Sequence, residues 1–206
     1  MALSGGNTPR GVYSLLAAEQ TNVLPWNQIY VFFGDERHVP PDHPDSNYRM
    51  ANETLFSKVP IPPQNVFRVP AELPAGAAAD EYERSLRSFF NLSPGSWPSF
   101  DLILLGLGDD GHTASLFPGS AALQETSRLV VANWVEKFQS FRITFTYPVL
   151  NRAAEVLFLV SGESKAQILK EVLAPSGPSI YPAQAVQPHP GILTWLADRD
   201  AARLLE

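Results

Sequence analysis

Five apolar runs restrict what this chain can fold into: IYVFF (29–33), FDLILLGL (100–107), RLVVANW (128–134), RITFTY (142–147) and EVLFLVSG (155–162). Most are continuously apolar, as expected of strands covered on both faces. Segments with helical apolar spacing lie around them: 9–19, 46–58, 78–91, 164–174 and 192–206. Such alternation predicts an α/β fold, a three-layer α/β/α sandwich built on a mostly parallel sheet. At 206 residues the chain suits one domain, read as 1–206, with no internal repeat. In parallel sheets of this kind ligands sit at the carboxyl ends of strands, so the loops that follow the apolar runs are where chemistry is expected. The proline-rich stretch 59–74 reads as an ordered loop packed on the domain.

Three strand-end loops stand out. SGGNTPR (4–10) is a glycine-rich turn ahead of a helix. Gly5 and Gly6 let the backbone present its N–H groups, Ser4, Asn7 and Thr8 add side-chain donors, Thr8 is placed to cap the helix and Pro9 to open it. With the positive end of the helix dipole, these make a phosphate cradle; the plain alternative is an ordinary capped turn. GDERHVP (34–40) follows IYVFF, which puts Arg37 where it can grip a phosphate bidentately, unless the segment is a solvated charged loop or Arg37 pairs with Glu36. His38 and His43 read as loop histidines.

The third loop, GLGDDGH (106–112), fits G-x-G-x-x-G, but Asp109 and Asp110 beside a pyrophosphate would repel it, and no acidic strand end follows at the expected distance. It makes better sense as a catalytic loop. Glycines admit a ligand, Asp110 orients His112 in one tautomer, and His112 has the pKa range to deprotonate water near neutrality. The alternative is a structural histidine in a turn. Ser115, one helical turn later, carries no mark of an activated nucleophile. Lys137, Arg142 and Lys165 are cations available to an anionic ligand; a lysine opening a helix, as Lys165 does, opposes the dipole.

Other chemistries are set aside by composition. There is no cysteine, so disulfides, thiolate catalysis and Cys-ligated metals are excluded. G-x-S-x-G, H-E-x-x-H and Walker patterns are absent. A net charge of −6 with no basic run argues against nucleic acid. No apolar run reaches membrane-spanning length and no signal-peptide pattern opens the chain, which makes cytoplasm the expected location.

SGGNTP, GDERHVPPDHPDSNYRMANETLF, FDLILLGLGDDGHTASLFPGS and RITFTYPVLNRA, in this order and spacing, resemble the 6-phosphogluconolactonase family, within the glucosamine/galactosamine-6-phosphate isomerase-like group. The resemblance runs nearly end to end, including VSGESKA and PAQAVQPHPGILTWLAD, and DGHTASLFP is highly specific. It implies the sugar-phosphate isomerase/deaminase type of sandwich and hydrolysis of 6-phospho-D-glucono-1,5-lactone in the oxidative pentose phosphate pathway. It makes His112 the general base and Asp110 its positioning partner. Gly5, Gly6, Asn7, Thr8 and Arg37 then contact substrate, chiefly its phosphate, and Lys137 or Arg142 completes the cationic ring. The partner is a small sugar-phosphate lactone, no metal or organic cofactor is implied, and a monomer or weak homodimer is expected. The rival readings are a glucosamine-6-phosphate deaminase-like enzyme, which has MDEY and DGHIAFNEP where this chain has GDER and DGHTASLFP, and a non-catalytic sugar-phosphate binding module. The family usually has a helix and a full strand ahead of SGGNTP, where this chain has only Met1-Ala2-Leu3. Their lack is expected to leave a gap beside a sheet strand and to weaken the phosphate loop.

Overall fold

A computed structural model describes residues 1–174 and 181–205. The chain enters as β1 (Ala2–Leu3) and turns into α1 (Asn7–Glu19), then forms β2 (Phe32–Phe33), β3 (Asp35–Arg37), α2 (Asn47–Thr54) and α3 (Ala75–Phe89). β4 (Ile103–Gly106), β5 (Val130–Val135), β6 (Ser140–Phe145), α4 (Tyr147–Leu150) and β7 (Glu155–Val160) follow, then α5 (Ala166–Leu173), β8 (Ile192–Ala197) and α6 (Arg199–Ala202).

β1, β2, β4, β7 and β8 form a parallel sheet in the order β2-β1-β4-β7-β8. Its centre is the expected run of aliphatic residues: Ile103, Leu105, Val156 and Phe158 are fully buried. β5 and β6, read from sequence together with the parallel strands, instead build a separate antiparallel sheet, β3-β6-β5, on which α3 packs. Apolar continuity records burial on both faces and carries no information on strand direction. Gly34 joins the sheets: its N–H donates to Leu3 O at 2.9 Å, and its carbonyl accepts from Phe145 N at 2.8 Å. One contiguous apolar core runs through both sheets.

The helix expected over 192–206 is not formed. Residues 192–197 are β8, paired in parallel with β7 along its whole length, and Trp195 stacks on Phe158 at 3.9 Å. Only the single turn of α6 remains, capped by the Asp198 carboxylate, which accepts from Ala201 N at 2.8 Å; Glu206 lies outside the described residues. In so apolar a run helical and strand spacings are both satisfied, and the edge of β7 decides between them.

β2 is shorter than the run 29–33 because Val31 bridges Val66 and the Asn65 side chain donates to Ile29 O at 3.1 Å. The proline-rich stretch is therefore ordered against the sheet, with Val59, Ile61 and Val69 in the core. β1 is short but central: Ala2 pairs with both Phe32 and Ile103, and Ala2 and Leu3 are fully buried. A cavity of about 260 Å³, lined in part by Met1, Tyr30, Phe89 and Leu102, opens at its amino end.

Candidate active site

The carboxyl ends of β1, β2 and β4 converge on a cleft of about 230 Å³, lined by Ser4, Gly5, Gly6, Asp35, Arg37, Asn47, Gly108, His112 and Lys165 among others. The first wall is the turn from β1 into α1. Gly6, at φ 103°, is the helix N-cap, a backbone state that suits glycine. A Cβ on Gly5 would overlap the side-chain amide of Asn47. Tyr13 clamps the turn from below, accepting from Ser4 N at 3.1 Å and donating to Ser4 O at 2.8 Å. The N–H groups of Gly5, Gly6, Asn7 and Thr8 find no acceptor among the described residues. Two expectations change here. Thr8 is not the cap but the second helical residue, its hydroxyl 2.8 Å from Ser161 Oγ, and Pro9 is the third helical residue. Glycine reaches the positive φ of the N-cap without strain, and that is why the cap sits earlier than the residue types suggest.

The second wall is β3. GDER is not a solvated loop: it pairs antiparallel with β6, with Asp35 and Glu36 buried. Nor does Glu36 pair with Arg37. Its carboxylate accepts from Arg37 N at 2.8 Å, Asn47 N at 2.7 Å, Tyr48 N at 2.8 Å and the Ser46 hydroxyl at 3.2 Å, fixing the start of α2. Burial pushes the Glu36 carboxyl up, against these N–H donors. Arg37 stands directly opposite Arg142 in the ladder. Arg37 donates to Asp45 O at 2.7 Å; Arg142 lies over the Phe138 ring, and its buried Nε has no partner among the described residues. Burial, then the charge of Arg37, lowers the Arg142 pKa. Two guanidiniums held side by side, neither in an ion pair among the described residues, suit an anion.

The third wall is the loop after β4. The Asp110 carboxylate is hydrogen-bonded to His112 Nδ1 and accepts from its backbone N–H at 3.3 Å. Gly111, at φ 73°, makes this turn. With Nδ1 donating to Asp110, Nε2 carries the free lone pair. His112 stacks on Phe117 at 4.0 Å. Burial lowers the His112 pKa against the pull of Asp110, so the ring is neutral near pH 7. Burial would raise Asp110, but the His112 hydrogen bond and charge, with Lys137, outweigh it and hold the carboxyl at about 2. A Cβ on Gly108 would overlap the His112 ring. Gly108→Ala is therefore expected to lower kcat/KM by about tenfold or more through displacement of the ring, with an unchanged circular dichroism spectrum; full activity would show that the ring has room to move.

Of the expected site residues, Gly5, Gly6, Arg37 and His112 line the cleft, Asn7 and Thr8 open α1 beside it, and Arg142 abuts Arg37. Asp110 reaches the cleft through His112. Lys137 donates to Asp110 Oδ2 at 3.2 Å and borders a separate trough of about 740 Å³. Lys165, raised as a cation but not counted in the ring, lines the cleft and pairs with Asp109. Asp35 and Asn47 were not foreseen. Asp35 accepts from Ser115 Oγ at 2.7 Å and from Asn47 Nδ2 at 3.3 Å, so Ser115 is a buried strut. Neither residue type nor spacing marks Asn47, whose role exists only where α2 meets β1 and β3. His38 and His43 lie outside the cleft lining, as expected of loop residues.

Comparisons with known proteins agree on one group. A family model described as glucosamine-6-phosphate isomerases/6-phosphogluconolactonase matches residues 1–195. A 6-phosphogluconolactonase from a Nostoc species is 48% identical over 204 residues, covering 98% of this chain and 82% of the relative. The structure of 6-phosphogluconolactonase from Trypanosoma cruzi superposes with a TM-score of 0.88 at 32% identity, covering 99% of this chain and 83% of that one. A monomeric glucosamine-6-phosphate deaminase superposes less closely, with a TM-score of 0.78 at 26% identity, over 98% of this chain and 86% of that one.

Proposed function

The chain belongs to the glucosamine-6-phosphate isomerase/6-phosphogluconolactonase family, and from that premise we propose that it hydrolyses 6-phospho-D-glucono-1,5-lactone to 6-phospho-D-gluconate, the lactone-opening step of the oxidative pentose phosphate pathway. The observation that carries the reading is a His112 ring, held by Asp110, that faces a cleft whose other walls are a glycine-rich helix start and the Arg37 strand. The chain keeps the lactonase form of its motifs, GDER and DGHTASLFP, and the Nostoc relative that shares 48% of its residues is a lactonase.

In this mechanism the substrate phosphate binds at the open N–H groups of Gly5 to Thr8, with Arg37, Arg142 and Lys165 supplying positive charge. That remote contact orients the ring over His112. Nε2 takes a proton from water as the oxygen adds to the lactone carbonyl. The resulting imidazolium, steadied by Asp110, returns the proton to the ring oxygen as the C–O bond breaks. A δ-lactone is an activated ester, so no covalent nucleophile is needed. The reading places the enzyme in the cytoplasm as a monomer or weak homodimer acting on a small molecule; no helix among the described residues is long and apolar enough to cross a membrane.

The test is the disappearance of freshly generated lactone above its spontaneous rate, alongside ammonia release from glucosamine 6-phosphate. Catalysed hydrolysis without ammonia is expected; folded protein that does no better than buffer overturns the reading. Arg142→Met is expected to raise KM by roughly tenfold while kcat changes little, because a phosphate clamp is shared by ground and transition states.

A further inference from the structure

We propose that Lys137 is a positioning residue for the base, acting through Asp110 rather than on the substrate phosphate; this rests on the lactonase reading of the site. Lys137 sits at the tip of the β5–β6 hairpin, in the turn Glu136–Phe138 closed by Gln139 at φ 47°. From there its ammonium donates to Asp110 Oδ2 at 3.2 Å, while Oδ1 of the same carboxylate holds His112 Nδ1. The carboxylate is thus gripped at both oxygens. Its rotation about the Cβ–Cγ bond is fixed, and with it the tautomer and plane of the imidazole. The β5–β6 hairpin comes from a different sheet from β4, so the contact also ties the catalytic loop to the antiparallel sheet.

Placement argues against a phosphate contact. Lys137 does not line the cleft that holds Gly5, Arg37 and His112; with Trp134, Phe141 and Asp110 it borders the neighbouring trough. Cations stand nearer the phosphate loop without it: Arg37 and Lys165 line the cleft, and Arg142 is opposite Arg37. The charges around His112 are Asp110 on its own loop, Asp35 from β3, Lys137 from the hairpin, and Arg37 and Lys165 across the cleft, with Asp109 paired to Lys165. Lys137 is the member of this set that contacts the carboxylate orienting the base. Its positive charge opposes protonation of His112, and its removal favours the imidazolium.

The experiment compares wild type, Lys137→Met and Lys137→Arg by two readouts. In Lys137→Met the acid limb of kcat/KM is expected to move up by roughly half a pH unit, the scale of one exposed ion pair. Below the limb activity then falls about threefold, and KM for the phosphorylated lactone stays within about twofold of wild type; Lys137→Arg restores the limb. The His112 ring, followed by NMR titration in the absence of substrate, is expected to show the same upward shift. A ring that titrates identically in wild type and Lys137→Met overturns the proposal whether or not the chain is an active lactonase, and so does a KM raised tenfold or more with the limb unmoved. Absence of lactonase activity beside a shifted ring sinks the functional reading and leaves the Lys137–Asp110–His112 coupling standing.

Discussion

His112→Ala is expected to lower kcat/KM for 6-phosphogluconolactone by roughly 100-fold or more, the scale on which a positioned general base acts, while the protein keeps its fold. The ring packs on Phe117 and hydrogen-bonds Asp110, and His112 itself lines the cleft, so alanine opens space onto the cleft rather than a void in the core. The wild-type pH profile supplies an internal check. Catalysis requires neutral His112, so kcat/KM is flat above the His112 pKa and falls as pH drops through it. Because burial lowers that pKa, the limb lies below the ordinary histidine value of about 6.5. The alanine variant loses that limb along with the rate. The lowered pKa of His112 also removes some stability as pH falls below about 6.5, since the unfolded chain takes up that proton first, so a melt at each pH separates titration of the base from unfolding. The lowered pKa of Asp110 contributes stability that is fully present above the unfolded carboxylate value of about 3.9 and is lost only as pH falls toward about 2. An unchanged kcat/KM in His112→Ala, after subtraction of spontaneous hydrolysis, would remove His112 from the base role.

The second large effect is on stability. Glu36→Ala is expected to cost about 3 kcal/mol, because it strips the acceptor from three backbone N–H groups and a hydroxyl in a site only 2% exposed. In a chain of this size that is a fall in Tm of roughly 6–12 °C. Glu36→Gln keeps one carbonyl acceptor and is expected to lose about half as much. Burial raises the Glu36 pKa above its unfolded value, so the folded state holds this proton more firmly than the unfolded chain. The stability tied to that proton is therefore greatest at low pH and is lost as pH rises through the folded pKa, and the wild-type margin over Glu36→Ala narrows in the same direction. The start of α2 carries Asn47, which touches Asp35 and closes on Gly5, so KM is expected to rise with the loss of stability. Equal melting temperatures for wild type and Glu36→Ala would show that water replaces the carboxylate at no cost.

Some of this architecture is legible from residues alone. Ile103–Gly106 and Glu155–Val160 announce buried strands by aliphatic continuity. The turn Ser4–Gly6 announces a helix start that presents N–H groups, and Asp110 two residues before His112 announces an oriented imidazole. These are local properties, set by side-chain volume, by glycine's access to positive φ and by the reach of a carboxylate over one turn. Tertiary structure decided the rest. Residues 192–197 became a strand because β7 offered an unpaired edge. GDER became a buried strand because β6 lay opposite, which turned Glu36 from a surface charge into the support of α2 and set Arg37 against Arg142. Lys137, an ordinary surface cation by sequence, meets Asp110 across 27 positions of chain, and Lys165 meets Asp109 across 56. The sequence by itself pointed to the loops that line the cleft and to His112 as the proposed base. Which cations line the cleft and which one meets Asp110 was decided only by the folded chain, because charge acts over ångströms of space and the sequence does not state those distances.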